Sequence, residues 1–540
     1  MKKTSFLIQS FFCLLGITPS ALLATSCSCS NQPNYDEFTK TLYDSSYSEF
    51  IKYIENCPHI SNQEIVVIDS DNDSLKEARK YLKDLVQQYG FNPITDEGGN
   101  IYYDIPASPG YENCKKIAIQ AHMDMVWANA EGWSGEKGKV VSEEETINKK
   151  TFVHSKNNQT TLGADDGQGV GIILGITKTA NDFNHGPIKC ILTTDEDSTV
   201  YGAAHLDLAA LDTDYLVNVD ASTQDISIAS AGTQGFRTKI TDLQSYDIPD
   251  NYKLYSLKIL GCKAGHSADA MVDGKGNPTN IAINILKKIK SENNSQILLQ
   301  SIKDNGQTNV FASESEIVFV CSEAITGNDI NRFFNEEKQT FFAEKDMSYV
   351  FNEVYTPTNK KAISNDDSTH LMNYLSALPW GLIDKDDETN EMIASANISP
   401  VILNPEDNFS FFVSNLTRFA TKKWKENFAS EFAENKKILE NQSFHPTYTD
   451  YEESFPIWET NSGNELIQIA QKAYKNINIE PKLKKEKVAL ETAYFAEKNP
   501  NLKMVSIGAI VKNEHNVNES MDLDSYYDLA SVILYILRNC

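Results

Sequence analysis

Three apolar runs in the first half of the chain stop abruptly at acids or a histidine: "KKIAIQAHMD" (115–124), "GPIKCILTTDED" (186–197) and "TDYLVNVD" (213–220). Short, continuous apolar runs bounded by turn residues read as strands buried on both faces. Between the first two lies "TLGADDGQGVGIILGITKTAND" (161–182), a Gly-rich turn that opens a helix. Strands alternating with helices predict an α/β domain with a mostly parallel sheet. In such a sheet the C-terminal strand ends share one edge, where sites form. The acids therefore fall where a site is expected.

Side chains of a strand alternate between faces, so His122 and Asp124 point the same way. Alone, the pair reads equally well as a strand end meeting water. Asp165 in the Gly-rich turn, Asp195-Glu196-Asp197, Asp220 and, far along the chain, His515 in "IVKNEHNVNESMDLDS" complete a recurring pattern. Imidazoles and carboxylates converging without lysine or arginine would repel unless a cation sat among them. A pair of divalent metals answers that need, because His and carboxylate oxygen bind zinc at about 2.0–2.2 Å. "TLGADDGQGVG" is no phosphate loop, since it lacks the P-loop lysine and its two acids would repel phosphate.

The 540 residues exceed one ordinary core, so two domains are expected, one inserted in the other. After about residue 225 strand-like runs such as "SEIVFVCSEA" mix with helices such as "NPTNIAINILKKIKSE", an α+β pattern. The α/β pattern returns near residue 441 and ends in the helix "SYYDLASVILYILRN". The polar stretch 131–160 reads as a loop. A net charge of −26 excludes nucleic acid and electrostatic docking on anionic lipid. The scattered cysteines after residue 50 suggest neither a zinc ribbon nor a disulfide framework.

The chain opens with "MKK" and a short, broken apolar segment, the form of an export signal. It ends in "ATSC", which resembles the lipobox of bacterial lipoproteins. The expected arrangement is a signal peptide over 1–26, lipidation at Cys27 and a tether over 27–35. That places the protein outside the cytoplasmic membrane, held to it only by an N-terminal lipid. A plain signal peptide with incidental cysteines is the alternative.

The motifs "QAHMDMVW", "TLGADDGQGVG", "LTTDEDSTVYGA", "LVNVD", "GHSADAMVDGKGNPTNIAINIL", "DDSTHLMNYLSALPWG", "SANISPV" and "IGAIVKNEHNVNESMDLDS" occur in this order. Together they resemble the aminoacylase/carboxypeptidase group of co-catalytic zinc peptidases, and within it the aminoacyl-histidine (Xaa-His) dipeptidases. The resemblance runs from about residue 36 to the end. It implies a catalytic domain over 36–224 and 441–540, interrupted by a lid and dimerisation domain over 225–440.

The resemblance further implies that His122 and Asp220 hold one zinc, Asp197 and His515 the other, and that Asp165 bridges them. Cobalt and manganese suit the same ligands. Asp124 would orient His122. Glu196 would be the general base toward a water held between the metals as it attacks the peptide carbonyl. His266 would reach the active site of a partner subunit in a homodimer and stabilise the oxyanion. Asn397 and Arg418 would contact the substrate, Arg418 through its C-terminal carboxylate. Glu491 would receive the free α-amino group of an unblocked dipeptide.

Three departures qualify the likeness. The group's usual Glu-Glu pair is Glu196-Asp197 here, "GGHSG" is "AGHSA", and Lys487 stands at a usual histidine. The other readings are an aminoacylase-type amidohydrolase and a non-catalytic lipoprotein that binds peptides or a host molecule. No ligand and no base is missing, which favours an enzyme, and the large second domain favours the dipeptidase branch.

Overall fold

Ile188–Thr193, Ile117–His122, Tyr215–Asn218 and Lys503–Ser506 lie side by side, in that order and parallel, at the centre of an eight-stranded sheet. The computed structural model describes residues 36–540 except 63, 269, 356–358, 387–391, 451–453 and 461–463. The export signal, the tether and Cys27 fall outside the described residues.

Every residue of Ile117–His122 and Ile188–Thr193 is buried, and period-two alternation explains how. Ile117, Ile119, Cys190 and Val217 enter a core shared with the helices Thr39–Asn56, Ala164–Thr179, Glu465–Asn476 and Leu523–Asn539. Ala118, Ile191, Leu216 and Met504 enter a smaller core on the opposite face, with the helix Glu491–Lys498. The sheet is mixed at its flanks. Ile101–Ile105 runs antiparallel to Ile188–Thr193, and Ile226–Ser230 antiparallel to Lys503–Ser506.

The glycines of the 161–182 segment serve packing. Gly167, Gly171 and Gly175 line the helix face laid against Thr39–Asn56; a Cβ at Gly175 would sit 2.1 Å from the Ser46 hydroxyl and one at Gly171 2.8 Å from Phe50 Cβ. Only glycine lets the two backbones approach so closely.

The stretch expected to be a loop, 131–160, instead contains a hairpin. Ser142–Ile147 pairs with Lys150–Ser155, which in turn pairs with Ser520–Asp522. Asn148 and Lys149 both adopt left-handed backbone (φ 51° and 72°), as a two-residue hairpin turn requires. The strand Ser142–Ile147 is exposed along most of its length, so no apolar alternation marks it.

The second sheet has nine strands and is antiparallel in every pairing. Its order is Ser348–Glu353, Lys253–Leu260, Ser315–Cys321, Ile297–Asp304, Met392–Asn404, Ser410–Phe419, Gly232–Ile240 and Thr447–Asp450, with Gly381–Lys385 beside Met392–Asn404. The helices Pro278–Asn293, Gly327–Thr340 and Asn365–Ala377 cover it over a separate core. The chain enters this sheet at Gly232, directly after the first sheet's Ile226–Ser230, and returns to the first after Asp450. An α/β body interrupted by an α+β body is thus the observed fold. Cys57, Cys114, Cys190, Cys262, Cys321 and Cys540 are all free thiols. No helix among the described residues is long and apolar enough to cross a membrane.

One buried ion pair anchors the helix Lys76–Gln88 beside the first sheet. Arg79, 2% exposed, donates to Asp73 at 2.9 Å, to Asp69 at 2.7 Å and to the Gly99 carbonyl at 2.8 Å. Burial alone would raise the Asp73 carboxyl, but the Asp69 amide and the Arg79 guanidinium together hold it below the usual range. Asp73→Asn leaves a buried guanidinium facing only the exposed Asp69 and is expected to cost about 3 kcal/mol in urea unfolding near neutral pH. A carboxyl whose pKa is lower folded than unfolded contributes its stability above the unfolded value and loses it as pH falls through the folded one. The gap between wild type and variant should therefore close below about pH 4.

Candidate active site

His122 ends its strand at the sheet edge. Its Nε2 lies 3.1 Å from Asp165 Oδ1 and 3.5 Å from Asp220 Oδ1. His515 arrives from the loop between Val511–Lys512 and Ser520–Asp522. Its Nε2 lies 3.1 Å from Asp165 Oδ2 and 2.8 Å from Asp197 Oδ1. Asp165 thus turns one oxygen toward each imidazole, between the pair His122/Asp220 and the pair His515/Asp197. The structure brings together all five residues read from the sequence as ligands.

Asp124 faces His122 and has a further part beyond the one expected. His122 Nδ1 meets the Asp124 backbone carbonyl at 3.0 Å, whereas the carboxylate is 3.5 Å away. That carboxylate also accepts the Glu196 and Asp197 amides at 3.1 and 3.2 Å and the Ser61 hydroxyl at 2.7 Å. It therefore fixes the turn that carries Glu196 and Asp197. Strand register explains the geometry, because His122 pairs with Thr193 and the two strands run out of the sheet together.

The charges are severely crowded. Burial opposes the charged form of His122, yet Asp220, Asp124 and Asp165 outweigh it and raise the imidazole's pKa well above its usual value. Asp165 and Asp197 raise His515 to about 11. Burial, with Asp165 nearby, pushes Asp197 to about 6, and burial likewise carries Asp220 to about 6 despite His122 beside it. Glu196 is raised well above the carboxylate range, chiefly by burial. Each ion pair among the described residues that involves Asp165, Asp197 or Asp220 is to a histidine.

This donor set fits divalent metal. Four-coordinate binding at about 2.0–2.2 Å places ligand atoms roughly 3.3–3.6 Å apart. The ligand atoms of Asp165, Asp197 and His515 all lie within 4.8 Å of one another, as do those of His122, Asp166 and Asp220. Asp197 Oδ2 is buried without a hydrogen-bond partner, an acceptor left for a cation.

Residues given no role in the sequence reading also shape the site. Asn62 donates its amide (2.7 Å) and its side-chain NH2 (2.9 Å) to Asp195, which has φ 57°. Asp166 accepts the His122 amide at 3.2 Å and the Gly169 amide at 3.1 Å, so its oxygens serve the backbone although it stands among the possible ligands. Glu519 accepts amides of the loop that carries Asp165. The parts these residues play have no local signature, since each has a partner remote in sequence.

The remaining predicted residues fall in two places. Glu491 begins the helix Glu491–Lys498 and is fully buried beneath the strand ends; its Oε2 accepts Gln120 (2.6 Å) and Thr193 (2.7 Å), while Oε1 is unpartnered. Burial pushes its carboxyl to about 8. His266, Asn397 and Arg418 gather on the second body. His266 pairs with Val310 in a short ladder, Asn397 donates to the Gln307 and Thr308 carbonyls at 3.1 and 3.0 Å, and Arg418 Nε donates to the Ser267 hydroxyl at 3.0 Å. Lys487 is exposed just beyond the strand Leu483–Glu486.

Comparison with known proteins places the chain among peptidases. Cytosol non-specific dipeptidase of Escherichia coli (strain K12) is 24% identical over 471 residues, 85% of this chain and 93% of that protein. The crystal structure of aminoacylhistidine dipeptidase from Vibrio alginolyticus has the same fold, with TM-score 0.77 at 23% identity over 91% of this chain and 96% of that one. Aminopeptidase PepT from Bacillus cereus is more distant, with TM-score 0.50 at 13% identity over 92% and 98% of the two chains. The pattern of peptidase family M20/M25/M40 matches residues 118–539, a span that holds His122, Asp165, Glu196, Asp197, Asp220 and His515. The chain belongs to peptidase family M20/M25/M40.

Proposed function

We propose that this chain is a two-metal dipeptidase that hydrolyses unblocked dipeptides, with Xaa-His dipeptides among its substrates. The observation that carries the reading is the Asp165 carboxylate set between His122 and His515. His122 and Asp220 would hold one divalent ion, Asp197 and His515 the other, and Asp165 both. Zinc suits these ligands best, and cobalt and manganese also fit. Such ions make water a nucleophile at neutral pH and polarise the scissile carbonyl.

The chain's own groups do the rest. Glu196 takes the proton of the attacking water and gives it to the leaving amine. Asp124 keeps Glu196 and Asp197 in place through their amides. Glu491 takes the substrate's α-ammonium through Oε1, the oxygen without a partner. Arg418 grips the C-terminal carboxylate, with Asn397 beside it, and His266 donates to the oxyanion. These last three stand on the second body, which supports a homodimer in which each lid serves the neighbouring subunit. The opening segment, ending at Cys27, supports a lipid-anchored protein outside the cytoplasmic membrane.

The decisive assay offers Xaa-His, other free dipeptides, a tripeptide and an N-acetylated amino acid, with bound metal measured in the same sample. The expected result is chelator-sensitive cleavage of free dipeptides with about two ions per chain. Cleavage of the acetylated compound alone would favour an aminoacylase. Full metal loading with no cleavage would favour a binding lipoprotein.

Glu196→Gln should lower kcat by roughly 10²–10⁴-fold and leave metal content unchanged. Turnover near wild type would remove Glu196 from the role of base.

Mixing inactive Glu196→Gln and His266→Ala chains, with subunit exchange, should restore about a quarter of wild-type activity, because half the dimers then hold one intact composite site. No recovery despite exchange would place His266 outside the neighbouring site.

A further inference from the structure

We infer that Glu519 is the positioning residue for Asp165, holding the shared carboxylate at the centre before any metal arrives. The inference rests on the two-metal reading above. Glu519 is 1% exposed, and its carboxylate is turned onto the backbone of a single loop. Its Oε2 accepts the Leu162 and Gly163 amides, each at 2.9 Å, and its Oε1 accepts those of Ala164 at 2.8 Å and Asp165 at 3.1 Å. Four successive N–H groups therefore close on one carboxylate.

The loop can adopt that shape because Gly163 has φ +79°, and a Cβ there would press within 3.0 Å of Met125 Sδ and 3.1 Å of His59 Nε2. The amides open the helix Ala164–Thr179, where N–H groups lack intrahelical acceptors and the helix dipole favours an anion. An anion here nonetheless sits close to Asp165 and the other acids, so a hydroxyl or a water would satisfy the amides with less repulsion. A carboxylate is distinguished by two rigidly linked oxygens that fix all four amides at once.

The turn that carries Glu519 also carries His515, and the Glu519 amide closes it by donating to the Asn516 carbonyl at 3.0 Å. One short segment, 515–519, thus holds Asp165 twice. His515 faces its Oδ2, and Glu519 holds its backbone amide. The distance between the two imidazoles, and with it the separation of the two metal positions, is set by this double hold.

The test uses the full chain as wild type, E519Q and E519D, stripped with chelator and titrated with Co2+, reading affinity and the visible absorption spectrum. Hydrogen exchange over residues 160–168 is measured in the metal-free wild type. Gln would aim an NH2 at two amide N–H groups, so E519Q is expected to weaken Co2+ binding about 10–100-fold and to change the spectrum. E519D keeps both acceptors and should recover part of the affinity and a spectrum closer to wild type. The amides of 162–165 should be protected without metal.

Wild-type affinity and spectrum in E519Q would overturn the inference, as would unprotected amides in the metal-free wild type. E519D and the exchange measurement decide the matter if E519Q does not fold. A wild-type chain that takes up no Co2+ would overturn the two-metal reading itself, whereas two ions in wild type with unaltered variants would overturn only the role of Glu519.

Discussion

The geometry of the centre depends on one carboxylate facing two imidazoles that come from opposite ends of the chain. Asp165 lies 43 residues from His122 and 350 from His515. Gathering Asp165, Asp197, Asp220 and Glu196 out of water is costly unless positive charge balances them. The fold holds each of the proposed ligands rigidly. His122 is held by its strand and the Asp124 carbonyl, Asp165 by the helix it opens and by Glu519, and Asp197 by the Asp124 carboxylate. The carboxylates in turn raise the pKa values of both histidines.

The parallel core and most of the site are legible in the sequence for a single reason. Strands buried on both faces appear as unbroken apolar runs, so the acids at their ends stand out against them, as at His122, Asp195-Glu196-Asp197 and Asp220. Polar exposed elements lack that contrast, and the hairpin Ser142–Ser155 therefore reads as a loop. The helix Thr39–Asn56 is also silent: "TKTLYDSSYSEFIKYIEN" is rich in Ser, Thr and Tyr, weak helix formers. It is held by close packing on Gly167, Gly171 and Gly175, a feature of the partner helix.

Asn62, Asp166 and Glu519 escape sequence reading for another reason. Each makes its telling contact with a distant segment, Asn62 with the Asp195 carboxylate, Asp166 with the His122 amide and Glu519 with the amides of residues 162–165, so its own neighbourhood does not disclose its part. Alternation correctly places Asp124 on the same face as His122. It cannot say that the Asp124 carboxylate serves the amides of residues 196 and 197, because that depends on where two neighbouring strands leave the sheet.

The same clamp bears on the reach of Asp197, one of the proposed ligands. The resemblance implies a Glu-Glu pair where this chain has Glu196-Asp197, and aspartate is a methylene shorter in reach than glutamate. A floppy turn could restore it by sagging toward the centre, but this turn is pinned. Asn62 holds both Asp195 oxygens, Asp195 adopts left-handed backbone, and Asp124 takes the next two amides. The backbone therefore sets the reach, and His515 closes on Asp197 at 2.8 Å without a longer side chain. Fixing a short ligand through its main chain leaves Asp197 fewer rotamers than glutamate would have, so less side-chain entropy is lost when it binds.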